Sequence, residues 1–274
     1  MSDRWLAIKV EPSGDPQLVI DALFSAGAQG IQESGTAIIT HFPPGTVATA
    51  IEDVVLAADS GASFVSGPAP EADWSEWRAN VVAHRLARIT IAPPWITPDD
   101  GTVVVTIDPA MAFGTGEHAT TRGVVRLMQH LRPMPATVAD LGAGSAVLAI
   151  CAAKLGAERV AAIELDPDAI GNAEENVRVN GVGDSVTVIE GDAEVLLPLV
   201  APVGLVLANI ISSVLLQLLA VIARSLTSDG RAILSGILEE ERAMMTAAIR
   251  DAGFEIERED LEDSWWSVLI VRPR

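Results

Sequence analysis

The sequence predicts a doubly wound α/β sheet that ends in an antiparallel strand, preceded by a small α+β module. Three observations carry this. From residue 137 onward, short apolar strand-like runs alternate with helical stretches, the pattern of a parallel sheet covered on both faces. The chain then closes on two strands, 255–260 and 265–271, with only a short turn between them, which is hairpin geometry. Before all this, residues 1–67 run strand, helix, strand, strand, helix, strand, and Gly67-Pro68-Ala69-Pro70 marks a boundary.

In the first module, residues 5–10 alternate as a strand, and residues 15–26 read as a helix stopped by Gly27. Residues 29–33 and 36–42 flank Ser34-Gly35, a hairpin-type turn; 46–58 is a second amphipathic helix and 62–66 a last strand. That order is the ferredoxin-like split βαβ pattern. Residues 68–95 are expected to link the domains, with a connecting helix over 73–83 that carries Trp74 and Trp77. Strands at 86–91 and 103–107 lead into the second domain, 96–274. A helix over 124–131 follows. Core strands are then placed at 137–141, 159–165, 186–190, 205–208 and 231–235, and helices at 147–155, 167–180, 214–225 and 239–252.

Composition removes several classes of function. Of 274 residues, 18 are basic and 37 acidic, a net charge of -19, which argues against a nucleic-acid surface. Cys151 stands alone and His41, His84 and His130 are scattered, so neither a disulfide framework nor a metal centre is expected. Lys9 and Lys154 are the only lysines and tyrosine is absent, leaving little room for lysine or tyrosine acid–base schemes. The charge-free window 195–223 is long enough to span a bilayer. Pro198, Pro202 and the polar Asn209-Ile210-Ile211-Ser212-Ser213 break it, so a buried strand, a polar turn and a core helix describe it better. With no signal-type apolar stretch at the start, a soluble cytoplasmic protein with no membrane association is expected.

In an open α/β sheet, ligands bind beyond the carboxyl ends of the strands. The first core strand ends in Asp140-Leu141-Gly142-Ala143-Gly144-Ser145-Ala146, where Gly142 and Gly144 let a ligand approach a helix start or simply pack that helix. A dinucleotide fingerprint would need glycine where Val147 stands. Glu164, about 20 residues beyond the turn, is placed to accept ribose hydroxyls. Asp166 before Pro167 suits a helix cap. Asp192 either meets an adenine amino group or is a loop acid, and Asn209 ends the fourth strand as either a turn-former or an active-site amide, its position favouring the second. The Gly114-Thr115-Gly116 loop lacks a phosphate-loop lysine, and Glu117 has the wrong sign for phosphate, so a neutral or cationic ligand fits better. His118 is a lone loop histidine, more in keeping with a structural role.

The motifs recur in order: Asp108-Pro109-x-x-Ala112-Phe113-Gly114-Thr115-Gly116-x-His118-x-Thr120-Thr121, the Asp140-x-Gly142-x-Gly144 turn, Ile163-x-x-Asp166-Pro167-x-Ala169-Ile170, Ala208-Asn209-Ile210 and Leu234-Ser235-Gly236. Together they resemble the bacterial ribosomal protein L11 methyltransferase family, over residues 100–245 by motif and the whole chain by architecture. The resemblance implies a methyltransferase-type (Rossmann-like) sheet, S-adenosylmethionine as cofactor, and methylation of lysine and/or N-terminal amino groups of ribosomal protein L11. The N-terminal module would be the substrate-recognition domain. Residue by residue, it gives cofactor binding to Thr121, Gly142, Glu164 and Asn209, with Asn209 also catalytic beside the transferred methyl. Phe113, Gly114, Gly144 and Asp192 complete the expected cofactor set. The chain departs from the family at Ala146, where glycine is usual, and at Glu164, where aspartate is usual.

Rival readings fit less well. Methyltransferases of glutamine or nucleobases favour Asn-Pro-Pro-Tyr, whereas Asn209-Ile210-Ile211-Ser212 lacks the prolines and the aromatic ring. A nicotinamide-dependent oxidoreductase is disfavoured by the glycine spacing and the final hairpin. Ser145 is not in a hydrolase elbow, and a non-catalytic adaptor would need neither Asn209 nor the Gly-Thr-Gly loop. The first 70 residues carry about -6 of the net charge, which suits a basic protein partner and steering by long-range attraction. A monomer without direct nucleic-acid contact is expected.

Overall fold

The computed structural model describes residues 5–28, 31–34, 36–43, 45–68, 81–108 and 116–273. The chain divides into two compact units, Met1–Asn80 and Val81–Arg274.

In the first unit, β1 (Leu6–Glu11) lies between β3 (Ala37–Phe42) and β4 (Ser63–Pro68), antiparallel to both, and β2 (Ile31–Ser34) pairs with β3. The strand order is therefore β2-β3-β1-β4. Alternation along β1 sends Ile8 and Val10 inward, where they meet Ile38 and Phe42. Val19 and Leu23 of α1 (Pro16–Ser25) and Ile51 and Val55 of α2 (Ala48–Ala58) close the same core. Asp15 starts α1 by accepting the Gln17 N–H at 3.0 Å, with Pro16 in the first turn, as a helix start prefers. Gly67 and Pro68 belong to β4 rather than lying beyond the module.

The second unit opens with a three-stranded sheet, β5 (His84–Leu86), β6 (Ile89–Ala92) and β7 (Val103–Thr106). The single strand expected over 86–91 is instead folded back on itself at Ala87 and Arg88, with Ala87 at φ +53°. Gln129 fixes this turn from another part of the chain: its amide donates to the Leu86 carbonyl at 2.9 Å and accepts the Arg88 N–H at 2.9 Å. Of the expected 68–95 linker, residues 84–86 and 89–92 pair within this sheet, and residues 69–80 lie outside the described residues.

The main sheet has seven strands: β8 (Thr137–Leu141), β9 (Arg159–Glu164), β10 (Val186–Glu190), β11 (Val203–Asn209), β12 (Leu226–Leu238), β13 (Glu255–Glu262) and β14 (Trp265–Val271). Their order is β10-β9-β8-β11-β12-β14-β13. The first five are parallel, while β14 runs antiparallel to both β12 and β13. Strand order reverses at β8, with β9 on one side and β11 on the other, which creates the crevice where such sheets bind ligands.

Side-chain alternation divides the core in two. Val138, Val160, Leu205, Leu207, Ile233 and Leu269 face α3 (Ala119–Met128), α4 (Val147–Lys154) and α5 (Pro167–Val179). Ala139, Val206, Ala208, Ala232, Leu234, Val268 and Ile270 face α6 (Ala193–Val200), α7 (Ser212–Ser225) and α8 (Arg242–Asp251). Burying each large apolar side chain contributes about 1.5–3 kcal/mol, so a sheet covered on both faces is the stable arrangement for strands this apolar. The helix α6 was not legible in the sequence: it is eight residues long, apolar nearly throughout, and contains Pro198. Among the described residues no helix is long and apolar enough to cross a membrane.

Candidate functional site

The carboxyl ends of β8, β9, β10 and β11 carry Gly142, Glu164, Asp192 and Asn209. Gly142 at φ +65° and Gly144 at φ +52° turn the chain sharply, a conformation that suits glycine. The Gly142 and Ala143 N–H groups both donate to the Ile163 carbonyl, at 2.9 and 3.0 Å. A side chain at Gly142 would begin 3.1 Å from the Ile210 side chain, so this turn packs directly on the residue after Asn209.

Glu164 ties the turn to β9. One carboxylate oxygen accepts the Gly144 N–H at 2.7 Å and the other the Asp166 N–H at 2.9 Å. An ionised carboxylate offers about four acceptor positions, so capacity for hydroxyl donors remains. Asp166 starts α5 by accepting the Asp168 N–H at 3.0 Å, the cap its place before Pro167 predicts. Asp192 likewise caps α6, accepting the Glu194 N–H at 2.8 Å.

The start of α4 depends on Asp140, whose role sequence reasoning passed over. Ala146 occupies the N-cap position at φ +61°, fully buried and without a side-chain cap. A left-handed conformation costs an L-residue roughly 1–2 kcal/mol. Asp140 compensates from within β8: its Oδ2 accepts the Ala149 N–H at 3.0 Å. Its Oδ1 has no hydrogen-bond partner among the described residues. Burial pushes this carboxyl up to about 7, against the pull of the Ala149 N–H and with the negative charge of Glu164 adding to the rise.

Asn209 is the last residue of β11, and its Nδ2 donates to the Thr121 hydroxyl at 3.4 Å. Thr121 is fully buried in the first turn of α3. Thr120 beside it presents its carbonyl to the Ser235 hydroxyl at 3.3 Å. Behind Asn209, the Ile210 N–H donates to the Ser235 carbonyl at 3.1 Å. Ser212 then opens α7 with its hydroxyl donating to Glu241 Oε1 at 2.5 Å.

His118 is the N-cap of α3. Its Nδ1 accepts the Thr120 N–H at 3.4 Å and lies 2.7 Å from the Thr120 hydroxyl. Its ring meets Trp265 edge-to-face at 4.9 Å. Burial, and then the charge of Arg122, hold the imidazole below the ordinary histidine range. The structure therefore brings together Thr121 and Asn209, and Gly142, Gly144 and Glu164, while Asp192 stands at the end of the next strand. Phe113 and Gly114, together with Trp74 and Trp77, lie outside the described residues. Ser235, Asp140 and Arg122 were missed in the sequence because their partners lie on other elements. For Ser235 the only signal was its place in the Leu234-Ser235-Gly236 match.

The arrangement offers carboxylate acceptors and a carboxamide. Among the described residues no group of three or more His, Cys, Asp or Glu could hold a metal ion. It suits a ligand that presents hydroxyls and positive charge rather than phosphate.

The family model described as ribosomal protein L11 methyltransferase (PrmA) matches residues 16–273. A ribosomal protein L11 methyltransferase of Desulfitobacterium hafniense is 39% identical over 206 residues, covering 74% of this chain and 65% of that protein. In that alignment the chain spans about two thirds of its relative's length. The enzyme of that name from Myxococcus xanthus is 33% identical over 294 residues, covering 99% of this chain and 100% of the other. The crystal structure of a ribosomal protein L11 methylase from Lactobacillus delbrueckii subsp. bulgaricus superposes with a TM-score of 0.64 at 30% identity, covering 71% of this chain and 100% of that one.

Proposed function

The chain belongs to the ribosomal protein L11 methyltransferase family, and on that premise we propose that it moves methyl groups from S-adenosylmethionine to lysine and/or N-terminal amino groups of ribosomal protein L11. The observation that carries this reading is a nearly continuous line of contacts across the switch point. It runs from Glu164 to Gly144, through the turn to Gly142, from there onto Ile210, and from neighbouring Asn209 to Thr121. The residues fit such a cofactor: a carboxylate for ribose hydroxyls, a sharp glycine turn at the strand end, and a carboxamide in place of a charged base.

S-adenosylmethionine supplies a methyl group already activated on a sulfonium. The protein's part is alignment and proton management. A lysine amine has a reference pKa of about 10.4 and an α-amine about 7.7–8.0, so the nucleophile must first lose a proton. Desolvation beside positive charge lowers either value. With its Nδ2 directed at Thr121, Asn209 keeps its carbonyl oxygen to accept a hydrogen bond from the amine and aim its lone pair. Holding reacting atoms about 3–3.5 Å apart then supplies much of the rate.

We read the N-terminal unit as a ferredoxin-like module that recognises the substrate. In its support stand the antiparallel order β2-β3-β1-β4 with helices after β1 and β3, and an acidic charge suited to a basic ribosomal protein. The test is incubation with labelled S-adenosylmethionine and ribosomal proteins from a strain lacking this methylation. Label is expected on a single small basic protein. Asn209→Ala should retain affinity for S-adenosylhomocysteine while turnover falls by about 10²-fold or more. Label on RNA refutes the proposed substrate, and normal turnover by the variant removes Asn209 from the transfer step.

A further inference from the structure

We propose that Arg122 is a positioning residue for methyl transfer, clamping the start of α3 to the tip of the terminal hairpin and thereby holding Thr121 under Asn209. This rests on the function proposed above. The Arg122 side chain is only 15% exposed, and its guanidinium grips two segments at once. Toward the hairpin, Nε donates to Glu262 Oε1 at 3.0 Å, and Nη2 lies 2.7 Å from the same oxygen and 3.4 Å from Asp263 Oδ2. Toward the loop before the helix, Nη1 donates to the Glu117 carbonyl.

The second turn of α3 repeats the grip. Arg126 makes a bidentate pair with Asp260, at 2.8 and 2.5 Å, and reaches Glu262 Oε2 at 2.6 Å. Glu262 thus bridges two arginines, which hold its carboxyl below the usual range. Between them Gly123 is pressed onto β14: a Cβ there would lie 2.4 Å from the Ser267 hydroxyl. The turn that receives these contacts is itself unusual, with Asp263 at φ +50° and Ser264 at φ +64° and glycine at neither position. Backbone held in this region costs energy and persists where its surroundings over-determine it.

The other side of the same turn reaches the far flank of Asn209. The Ser264 carbonyl accepts the Glu239 N–H at 2.9 Å. Two residues on, Glu241 holds the Leu238 N–H at 3.0 Å and the Ser212 hydroxyl at 2.5 Å. Both neighbours of the Asn209–Ser212 segment therefore trace back to one hairpin tip. Bidentate and shared ion pairs such as these also contribute to stability, so melting temperature and turnover are measured separately. A planar fork that fixes two segments in register is what arginine does and lysine cannot reproduce.

The full chain is compared with Arg122→Lys, Arg122→Gln and Glu262→Gln. Measured for each are the melting temperature, calorimetric affinity for S-adenosylhomocysteine, kcat and KM on ribosomal protein L11, and the His118 titration by NMR. Among the described residues, the charged and titratable groups at this end include Glu117 beside His118, Arg122 and Arg126 on the helix that His118 caps, Asp260, Glu262 and Asp263 on the hairpin, and His84, which feels the charges of Arg122, Glu117 and Glu262. In both Arg122 variants kcat should fall roughly tenfold to a hundredfold, with a much smaller loss of S-adenosylhomocysteine affinity. The His118 pKa should rise in Arg122→Gln and stay in place in Arg122→Lys. Glu262→Gln, which keeps the arginine and its loop contact, should fall between these and wild type, and it carries the test if the Arg122 variants do not fold. Unchanged kcat in the folded variants overturns the proposal. Should the wild-type chain transfer no methyl to ribosomal protein L11, the proposed function fails first. The clamp is then decided by the NMR titration alone, and an unmoved His118 in Arg122→Gln rejects it.

Discussion

Two helices begin at the site, and they are held in different ways. The start of α3 is fixed by side chains: the His118 cap, the buried hydroxyls of Thr120 and Thr121, and the arginine pairs to the hairpin. The start of α4 is fixed by backbone shape, through Gly142, Gly144 and a left-handed Ala146, with a single buried carboxylate reaching up from β8. The contrast teaches where each kind of change will be felt. At α4 there is no room and little redundancy, so small covalent changes matter. At α3 several partners share the load, so a single loss is cushioned in stability while the geometry shifts.

The widest separation should come from Asp140. Its carboxyl is raised from an ordinary value near 4 to about 7, so in the fold the neutral form is preferred below that pH. Its stabilising contribution is complete below the unfolded value and is lost as pH rises through about 7. Each unit of such a shift is worth about 1.4 kcal/mol. Asp140→Asn keeps an acceptor for the Ala149 N–H and stays neutral. Its melting temperature should therefore exceed that of wild type above pH 7, with the gap closing as pH falls toward 4. A gap that does not change with pH removes the burial argument.

A smaller effect is expected at Gly142. Gly142→Ala must hold φ +65°, at a cost of about 1–2 kcal/mol, and its methyl presses on Ile210. Melting temperature and turnover should fall together; a variant that melts and turns over like wild type would show that the turn relaxes freely. The least is expected of His118→Ala, where loss of the cap should cost about 1 kcal/mol because the arginine pairs still hold the helix. A loss several times larger in thermal melts would reverse the comparison and make the cap the main anchor of α3.

Much of this architecture was legible from local pattern. Strand–helix alternation requires covered faces, and the short closing turn permits only a hairpin. Placing ligands at strand ends then singled out Gly142, Glu164 and Asn209 without coordinates. What escaped were features made by partners distant in sequence. The β5–β6 turn depends on Gln129, and the Arg122 grip depends on residues of the hairpin more than a hundred positions away. The helix α6 escaped for a different reason, since a short, almost uniformly apolar segment has no period to read.

The order of residue types along the chain was enough to specify the elements, the side-chain alternation that assigns each strand residue to one of two cores, and the chemistry available at the strand ends. These follow from backbone sterics and periodicity, which act over a few residues at a time. Which strands become neighbours, and so which strand ends share a crevice, was decided only by the packed sheet. So were the left-handed conformation of Ala146, the Asp140 support of the α4 start, and the raised carboxyl of Asp140. Burial, close approach and charge pairing are properties of neighbours in space, and the fold chooses those neighbours.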